Sequence, residues 1–173
     1  MIKTYQFTGH SNYRLVQSEI KELIKNVSLD KEMDFYLAVN EAVCNAAKYS
    51  VNGHKKADIS ICLKLDNYSM SAIISAETVY FDAYYFLQRM KALASSKNRN
   101  LEWGDYTHDN IGGRGFFYML QACDYVALSP DGNVVMLHSP LPIDENQKKR
   151  RKIWQLVSRL HVSSICELGV IIT

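Results

Sequence analysis

Apolar side chains recur at helical spacing over residues 35–52 of this chain. The apolar positions there are Phe35, Ala38, Val39, Ala42, Val43, Ala46 and Ala47. Because an α-helix repeats every 3.6 residues, this spacing predicts one helix with a buried stripe. Residues 13–27, 83–94 and 115–123 show similar patterns, so they are also predicted to be helices.

Alternating or short apolar runs predict five strands, over residues 2–7, 57–65, 68–75, 125–128 and 133–138. Asp66 and Asn67 predict a tight hairpin turn between the second and third strands. Pro130, Asp131 and Gly132 predict another turn between the last two. This element order predicts an α+β fold in which helices cover one face of a mostly antiparallel sheet.

The composition is that of a globular protein, with 47% hydrophobic and 22% charged residues. A chain of 173 residues suits one domain with a sizeable core. The chain begins on a strand pattern and contains no apolar run of membrane-spanning length, which predicts a cytoplasmic protein with no membrane partner. The dispersed cysteines Cys44, Cys62, Cys123 and Cys166 predict buried, reduced thiols.

The net charge of +2 predicts no strong attraction to nucleic acid. Six of the 20 basic residues fall near the C-terminus, at Lys148, Lys149, Arg150, Arg151, Lys152 and Arg159. The body of the chain is therefore near neutral and its C-terminal region is basic. A nucleic-acid-binding function would depend on this single run, so it ranks below the functions considered next.

Three polar side chains lie beside the apolar stripe of the helix over residues 35–52. Glu41, Asn45 and Lys48 stand at positions i, i+4 and i+7, so they project along one line. One interpretation is a solvated helix face. The other is a site in which a carboxylate orients a water molecule and an amide oxygen helps to complete the ligand shell of Mg²⁺.

A glycine-rich stretch precedes the helix predicted over residues 115–123. Gly112, Gly113 and Gly115 stand within four residues, and Arg114 adds a positive charge. A loop of this kind, followed by a helix, offers free backbone N–H groups and the positive end of a helix dipole to an anion. The alternative is an ordinary glycine-rich turn before a helix.

Together, these two stretches resemble the GHKL (histidine-kinase-like) ATPase superfamily, most closely its anti-sigma-factor and serine-protein-kinase branch. The motif E-A-x-x-N-A of that branch is matched from Glu41 to Ala46, and its G-G-x-G segment is matched at Gly112, Gly113 and Gly115. The resemblance covers roughly residues 1–140. It implies the two-layer, Bergerat-type α/β sandwich of that superfamily.

The resemblance also implies a function and a role for each motif residue. ATP and Mg²⁺ would be the cofactors, with Glu41 as the general base and Asn45 as the Mg²⁺ ligand. Lys48 and the segment Gly112, Gly113, Arg114 and Gly115 would contact the nucleotide. Residues 95–110 would form the lid over the phosphates. The partner would be a sigma factor or an antagonist of the anti-sigma factor.

The adenine-binding motif of the superfamily is degenerate in this chain. Relatives carry D-x-G-x-G-F, whereas Ala76, Thr78 and Tyr80 stand at the aspartate and glycine positions here. Alanine cannot accept a hydrogen bond from the adenine amino group, and an unpaired buried donor costs about 1–3 kcal/mol. Tyr80 is also expected to occupy the space that glycine leaves open. A shift of register by one residue would instead offer Ser75 or Glu77 as the acceptor.

We divide the chain into an ATPase-like domain, residues 1–142, and a C-terminal extension, residues 143–173. Residues 145–161 predict a docking helix, and residues 166–173 predict a strand at the edge of this sheet or of a second copy. The extension would then form a homodimer interface or cover the surface on which relatives hold a sigma factor.

Two functions remain open at this point. The first is an ATP-dependent regulator that phosphorylates a serine of a small antagonist protein and holds a sigma factor. The second is a degenerate module of the same fold that binds protein partners without ATP turnover. The sequence leaves enzymatic activity undecided.

Overall fold

The structure, a computed structural model, describes residues 1–27, 32–107, 114–141 and 151–164. A six-stranded sheet has the order β1-β2-β3-β5-β4-β6. The strands are β1 (Ile2–Thr8), β2 (Asp58–Leu65), β3 (Ser69–Ala76), β4 (Tyr125–Leu128), β5 (Val134–Pro140) and β6 (Leu160–Val162). Neighbouring strands are antiparallel except for β4 and β6, which are parallel.

Six α-helices lie within the described ranges and pack on one face of this sheet. They are α1 (Tyr13–Val27), α2 (Glu32–Lys48), α3 (Ala83–Ser95), α4 (Trp103–Tyr106), α5 (Arg114–Ala122) and α6 (Ile153–Val157). Short 3-10 helices span His10–Asn12 and Lys97–Asn100. None of the helices in the described ranges is long and apolar enough to span a bilayer. The predicted α+β, two-layer sandwich with a mostly antiparallel sheet is confirmed.

The core lies between the helices and the inner face of the sheet. In β2, Ile59, Ile61 and Leu63 are buried, whereas Ser60 and Cys62 between them are only partly covered. This alternation follows from the pleat of a strand, which points successive side chains to opposite faces. The predicted hairpin between β2 and β3 is present. In its turn, the carboxylate of Asp66 accepts hydrogen bonds from the backbone N–H groups of Tyr68 and Ser69.

Helix α2 ends four residues earlier than the sequence pattern predicts. It stops at Lys48. The backbone N–H of Val79 donates to the carbonyl of Tyr49 at 2.8 Å, and Ser50 forms an isolated bridge with Thr78. Backbone groups that pair with another segment cannot continue the helical ladder, so this tertiary contact ends the helix.

The segment over residues 95–110, which the resemblance identifies as a lid, is partly helical in its described portion. It contains the 3-10 helix Lys97–Asn100 and helix α4. The ring of Trp103 stacks on that of Phe117 with centroids 6.5 Å apart. Aromatic packing against α5 therefore orders part of this segment. His108 lies outside the described residues.

The single helix predicted over residues 145–161 is wrong in its C-terminal part. Helix α6 ends at Val157, and Leu160 pairs with Val126 of β4 in the parallel strand β6. Thus β6, and not β4, is the edge strand of the described sheet on this side. The strand predicted over residues 166–173 lies outside the described residues.

Two arginines attach the described part of the extension to the C-terminal end of α5. Arg151 donates from Nη1 to the carbonyl of Gln121 at 2.7 Å. Arg159 donates to the carbonyl of Cys123 and to the carboxylate of Asp124, both at 2.5 Å. Cations at a helix C-terminus complement its dipole and bind carbonyls that have no partner within the helix.

We predict that the free energy of unfolding falls as pH drops below the ordinary histidine pKa of about 6.5. Burial lowers the pKa of His138, although the charges of Asp124 and Asp66 oppose this shift. Burial also lowers the pKa values of His10 and His161. The unfolded chain therefore binds more protons than the native state in this range, so acid favours unfolding.

Chemical denaturation at about pH 7.5 and again at about pH 5 measures this effect, because histidines become charged between these two pH values. The variant His138→Gln offers the matched control, because an amide can still bond the hydroxyl of Ser71, which lies 2.8 Å from His138 Nδ1. We expect a smaller loss of stability in that variant. An identical loss in both proteins would contradict the assignment to His138.

Candidate functional site

Helix α2 is fixed on both flanks by side-chain hydrogen bonds. The hydroxyl of Tyr13 on α1 donates to Oδ1 of Asn40, and the hydroxyl of Tyr118 on α5 donates to Oδ1 of Asp34 at 3.0 Å. Burial, together with the nearby Asp34 carboxylate, raises the pKa of Tyr118, so its proton stays on the phenol. The positions of α1 and α5 relative to α2 are therefore defined.

Glu41 projects from α2 onto the first turn of α5. A Cβ placed on Gly115 would lie 2.2 Å from Oε2 of Glu41 and 3.1 Å from its Cδ. The side chain of Glu41 is only partly exposed. Any larger residue at position 115 would meet the carboxylate and push it away from α5. The helix dipole favours a negative charge at that end of α5.

Asn45 and Lys48 follow Glu41 along α2 but differ in their surroundings. Asn45 is half-buried, one helical turn beyond Glu41. Lys48 is exposed, and its Nζ stands 5.1 Å from the centre of the Tyr49 ring. The ammonium group thus rests against an aromatic face at the end of the helix.

The glycine-rich stretch is described only from Arg114 onward. Arg114 opens α5, and its guanidinium donates to the carbonyl of Thr107, with Nη2 at 3.2 Å. This contact joins the start of α5 to Thr107, the last residue of the described range that precedes it. Gly112 and Gly113 lie outside the described residues.

The donors at this site fit Mg²⁺ in their chemistry. A carboxylate from Glu41 and an amide oxygen from Asn45 are hard ligands, and Mg²⁺ is usually held by one or two protein groups together with water and phosphate oxygens. Within the described ranges, no group of three histidine, cysteine or acidic side chains forms a metal site.

Most of the chain matches one known family. The model of the histidine kinase-like ATPase domain matches residues 10–138. The chain belongs to this family. The superfamily predicted from the two motifs is therefore confirmed, and with it an ATP-binding fold. No curated protein matches the chain.

The three residues at the positions of the adenine-binding motif differ in their surroundings. Tyr80 is 81% exposed. Ala76 is buried at the end of β3. The backbone N–H and hydroxyl of Thr78 both donate to Oδ1 of Asn133, at 2.9 and 3.0 Å.

Sequence reasoning overlooked three residues that shape the site. Asn133 holds Thr78 in place, while Tyr118 and Asp34 fix α5 against α2. Asn133 directly follows the predicted turn and could have been suspected of a local role from that position. No local signal links Asp34 to Tyr118, because 84 residues separate them.

A separate groove of about 640 Å³ lies at one end of the sheet. Its walls include Thr8, Asp58, Glu77 and Asn133, and Ala76 also borders it. Neither Glu41 nor a residue of α5 lines it. This groove is therefore distinct from the contact between α2 and α5.

Proposed function

We propose that this chain is a regulatory ATP-binding protein that resembles anti-sigma factors with serine-protein-kinase activity. The contact between Glu41 and Gly115 carries the proposal, because it brings the carboxylate motif of α2 to the N-terminus of α5. Glu41 and Gly115, one residue from each sequence motif, thereby meet although more than 70 positions separate them. Membership of the histidine kinase-like ATPase family supports nucleotide as the ligand.

Each residue at this contact has a role in the proposal. Asn45 would bind the metal that accompanies the nucleotide, and Lys48 would approach its phosphates. Glu41 would accept the proton of the attacking hydroxyl as general base. Bound ATP would supply the phosphoryl group, and Arg114, with the glycines around it, would contact the phosphates through charge and backbone N–H groups.

A degenerate module that binds protein partners without ATP turnover is the second candidate. The residues at the positions of the adenine-binding motif favour this candidate. Ala76 provides no hydrogen-bond acceptor on its side chain, and the hydroxyl of Thr78 is already bonded to Asn133. Under this alternative, a sigma factor, its regulator or a second copy of the chain would bind the same fold with no phosphoryl transfer.

We expect calorimetric titration with Mg-ATP to show binding that falls at least about tenfold in Asn45→Ala, equivalent to about 1.4 kcal/mol. The reason is the loss of an oxygen ligand to the metal. Asn40→Ala is the matched control, since Asn40 lies on the same helix but bonds Tyr13 on the opposite flank. A thermal melt of each variant establishes that it is folded at the titration temperature.

The outcomes of this titration separate the proposals. Absence of binding heat at millimolar nucleotide would remove the ATP-dependent function. Equal affinity in Asn45→Ala and wild type would remove the metal assignment but leave nucleotide binding. If Mg-ATP binds, release of ADP that is lost in Glu41→Gln supports turnover, whereas binding without ADP release supports the second candidate.

A further inference from the structure

A second, smaller hydrophobic cluster lies on the face of the sheet opposite the helices. Met136 of β5 pairs with Ile73 of β3 and with Ala127 of β4. Paired residues of neighbouring strands point to the same face, whereas the next residue, Leu137, points to the other face and belongs to the main core. We call this cluster the outer-face patch, and its members are Ala127, Val134 and Met136, with Ile73 and Tyr125 packed against them.

The outer-face patch is buried although the described helices do not lie over it. Met136 and Ala127 are both 0% exposed. The helices of the described ranges contact the main core on the other face of the sheet. A bare sheet face leaves the ends of its side chains in water, because neighbouring strands flank them only at the sides. Full burial of Met136 therefore requires a cover that these helices do not supply.

The chain leaves the sheet close to this patch. The backbone N–H of Ser163 donates to the carbonyl of Leu128 at 3.0 Å, so the end of β6 stays beside β4. The described residues end at Ser164, and nine residues follow. Nine extended residues span about 30 Å, whereas neighbouring strands are only about 4.8 Å apart. Residues 165–173 are thus long enough to turn back over β4 and β5.

The composition of these last nine residues suits an apolar surface. Glu167 carries their only charged side chain. Residues 142–150, by contrast, include five charged side chains, and residues 28–31 and 108–113 connect helices of the other layer. Because apolar burial drives packing, the C-terminal residues are the best match to the patch. Five of the nine are large and apolar, namely Ile165, Leu168, Val170, Ile171 and Ile172.

We propose that residues 165–173 pack on the outer-face patch of their own chain and shield β4 and β5 from solvent. The edge position predicted from the sequence does not account for the burial, because a strand added beside β6 would leave Met136 uncovered. A second copy of the chain is not needed either, since Met136 is already buried in a single chain. The C-terminal extension then closes an apolar surface that would otherwise favour self-association.

This proposal does not depend on nucleotide binding. The outer-face patch and the contact between Glu41 and Gly115 lie on opposite sides of the sheet. Loss of Mg-ATP binding would leave the docking of residues 165–173 intact, and the reverse also holds.

The native thiols provide reference points for a labelling experiment. The predicted burial is confirmed for Cys123 but wrong for Cys44, which is exposed, and for Cys62, which is partly exposed. Cys166 lies outside the described residues. A thiol reagent should therefore modify Cys44 rapidly and Cys123 slowly, and peptide mass spectrometry separates the sites.

Met136→Cys in the full-length chain places a thiol within the patch. We expect this thiol to react as slowly as Cys123. Adding Ile171→Asp together with Ile172→Asp should accelerate its labelling at least about tenfold, because charged side chains release the cover. The two isoleucines are changed together since neighbours in an extended segment point to opposite sides.

Leu137→Cys is the matched control, because Leu137 is the next residue of β5 and is also 0% exposed, but it faces the helices. Its labelling rate should not change when Ile171 and Ile172 are replaced. An unchanged rate at position 136, or an equal increase at both positions, would overturn the proposal. Protection at position 136 that disappears on dilution would also overturn it, because a second copy would then be the cover.

A measurement without introduced cysteines guards against misfolding of these variants. The full-length chain with Ile171→Asp and Ile172→Asp should bind an apolar fluorescent dye more strongly than the wild type while it still unfolds in one cooperative transition. Glu167→Gln is the control within the same segment and should leave dye binding unchanged. Equal dye fluorescence in the wild type and the double variant would contradict the docking of residues 165–173.

Discussion

We expect Leu156→Ala to lower the free energy of unfolding by about 2–5 kcal/mol, the range for truncating a buried leucine. Leu156 on α6 is 0% exposed and belongs to the same hydrophobic cluster as residues of β2 and α2. Helix α6 packs against α3 and α5. A cavity left there would thus open within the main core of the protein.

Leu15→Ala is the matched control for this experiment, because the same atoms are removed from a side chain that is 80% exposed. Its effect should stay within about 0.5 kcal/mol, as for most surface substitutions. Urea denaturation of both variants measures the difference. A loss of similar size in the two proteins, or a separate early transition in Leu156→Ala, would show that α6 is not part of the cooperative core.

The second large effect is expected in nucleotide binding. Gly115→Ala places a methyl group 2.2 Å from the present position of Oε2 of Glu41, so the carboxylate has to move away from α5. We expect Mg-ATP affinity to fall at least about tenfold, or 1.4 kcal/mol. Stability should change by no more than about 1 kcal/mol, because alanine favours the helix while the flexible carboxylate gives way.

Gly104→Ala on α4 offers a control with identical chemistry. A Cβ at Gly104 meets no atom within 4 Å. Its Mg-ATP affinity should therefore equal that of the wild type, with unchanged or slightly higher stability. If Gly115→Ala bound Mg-ATP like the wild type, the contact between Glu41 and Gly115 would have no part in nucleotide binding.

The central hairpins could be predicted because their signals are local. The alternation of Ile59, Ile61 and Leu63 fixes which face of β2 is buried, and the turn at Asp66 fixes the pairing with β3. Side chains two residues apart share a strand face regardless of the rest of the fold. The same reasoning located α5 and its two neighbouring strands to within about two residues.

The C-terminal region shows where local patterns fail. Leu160 continues the helical spacing of Ile153 and Val157, yet it lies in a strand. Its backbone pairs with Val126, 34 positions earlier in the chain. Without β6, strand β4 would present unpaired backbone groups at the edge of the sheet, and pairing these groups outweighs the local helical preference over these few residues.

The sequence by itself determined the two hairpins, β2 with β3 and β4 with β5, the helices α2 and α5, and the family to which their motifs belong. Periodicity, turn residues and motif spacing all act over a few residues, so they can be read without coordinates. Only the tertiary structure decided that Glu41 meets Gly115 and that Thr78 is bonded to Asn133. Each of these contacts joins residues more than 30 positions apart, and such distances depend on how whole elements pack.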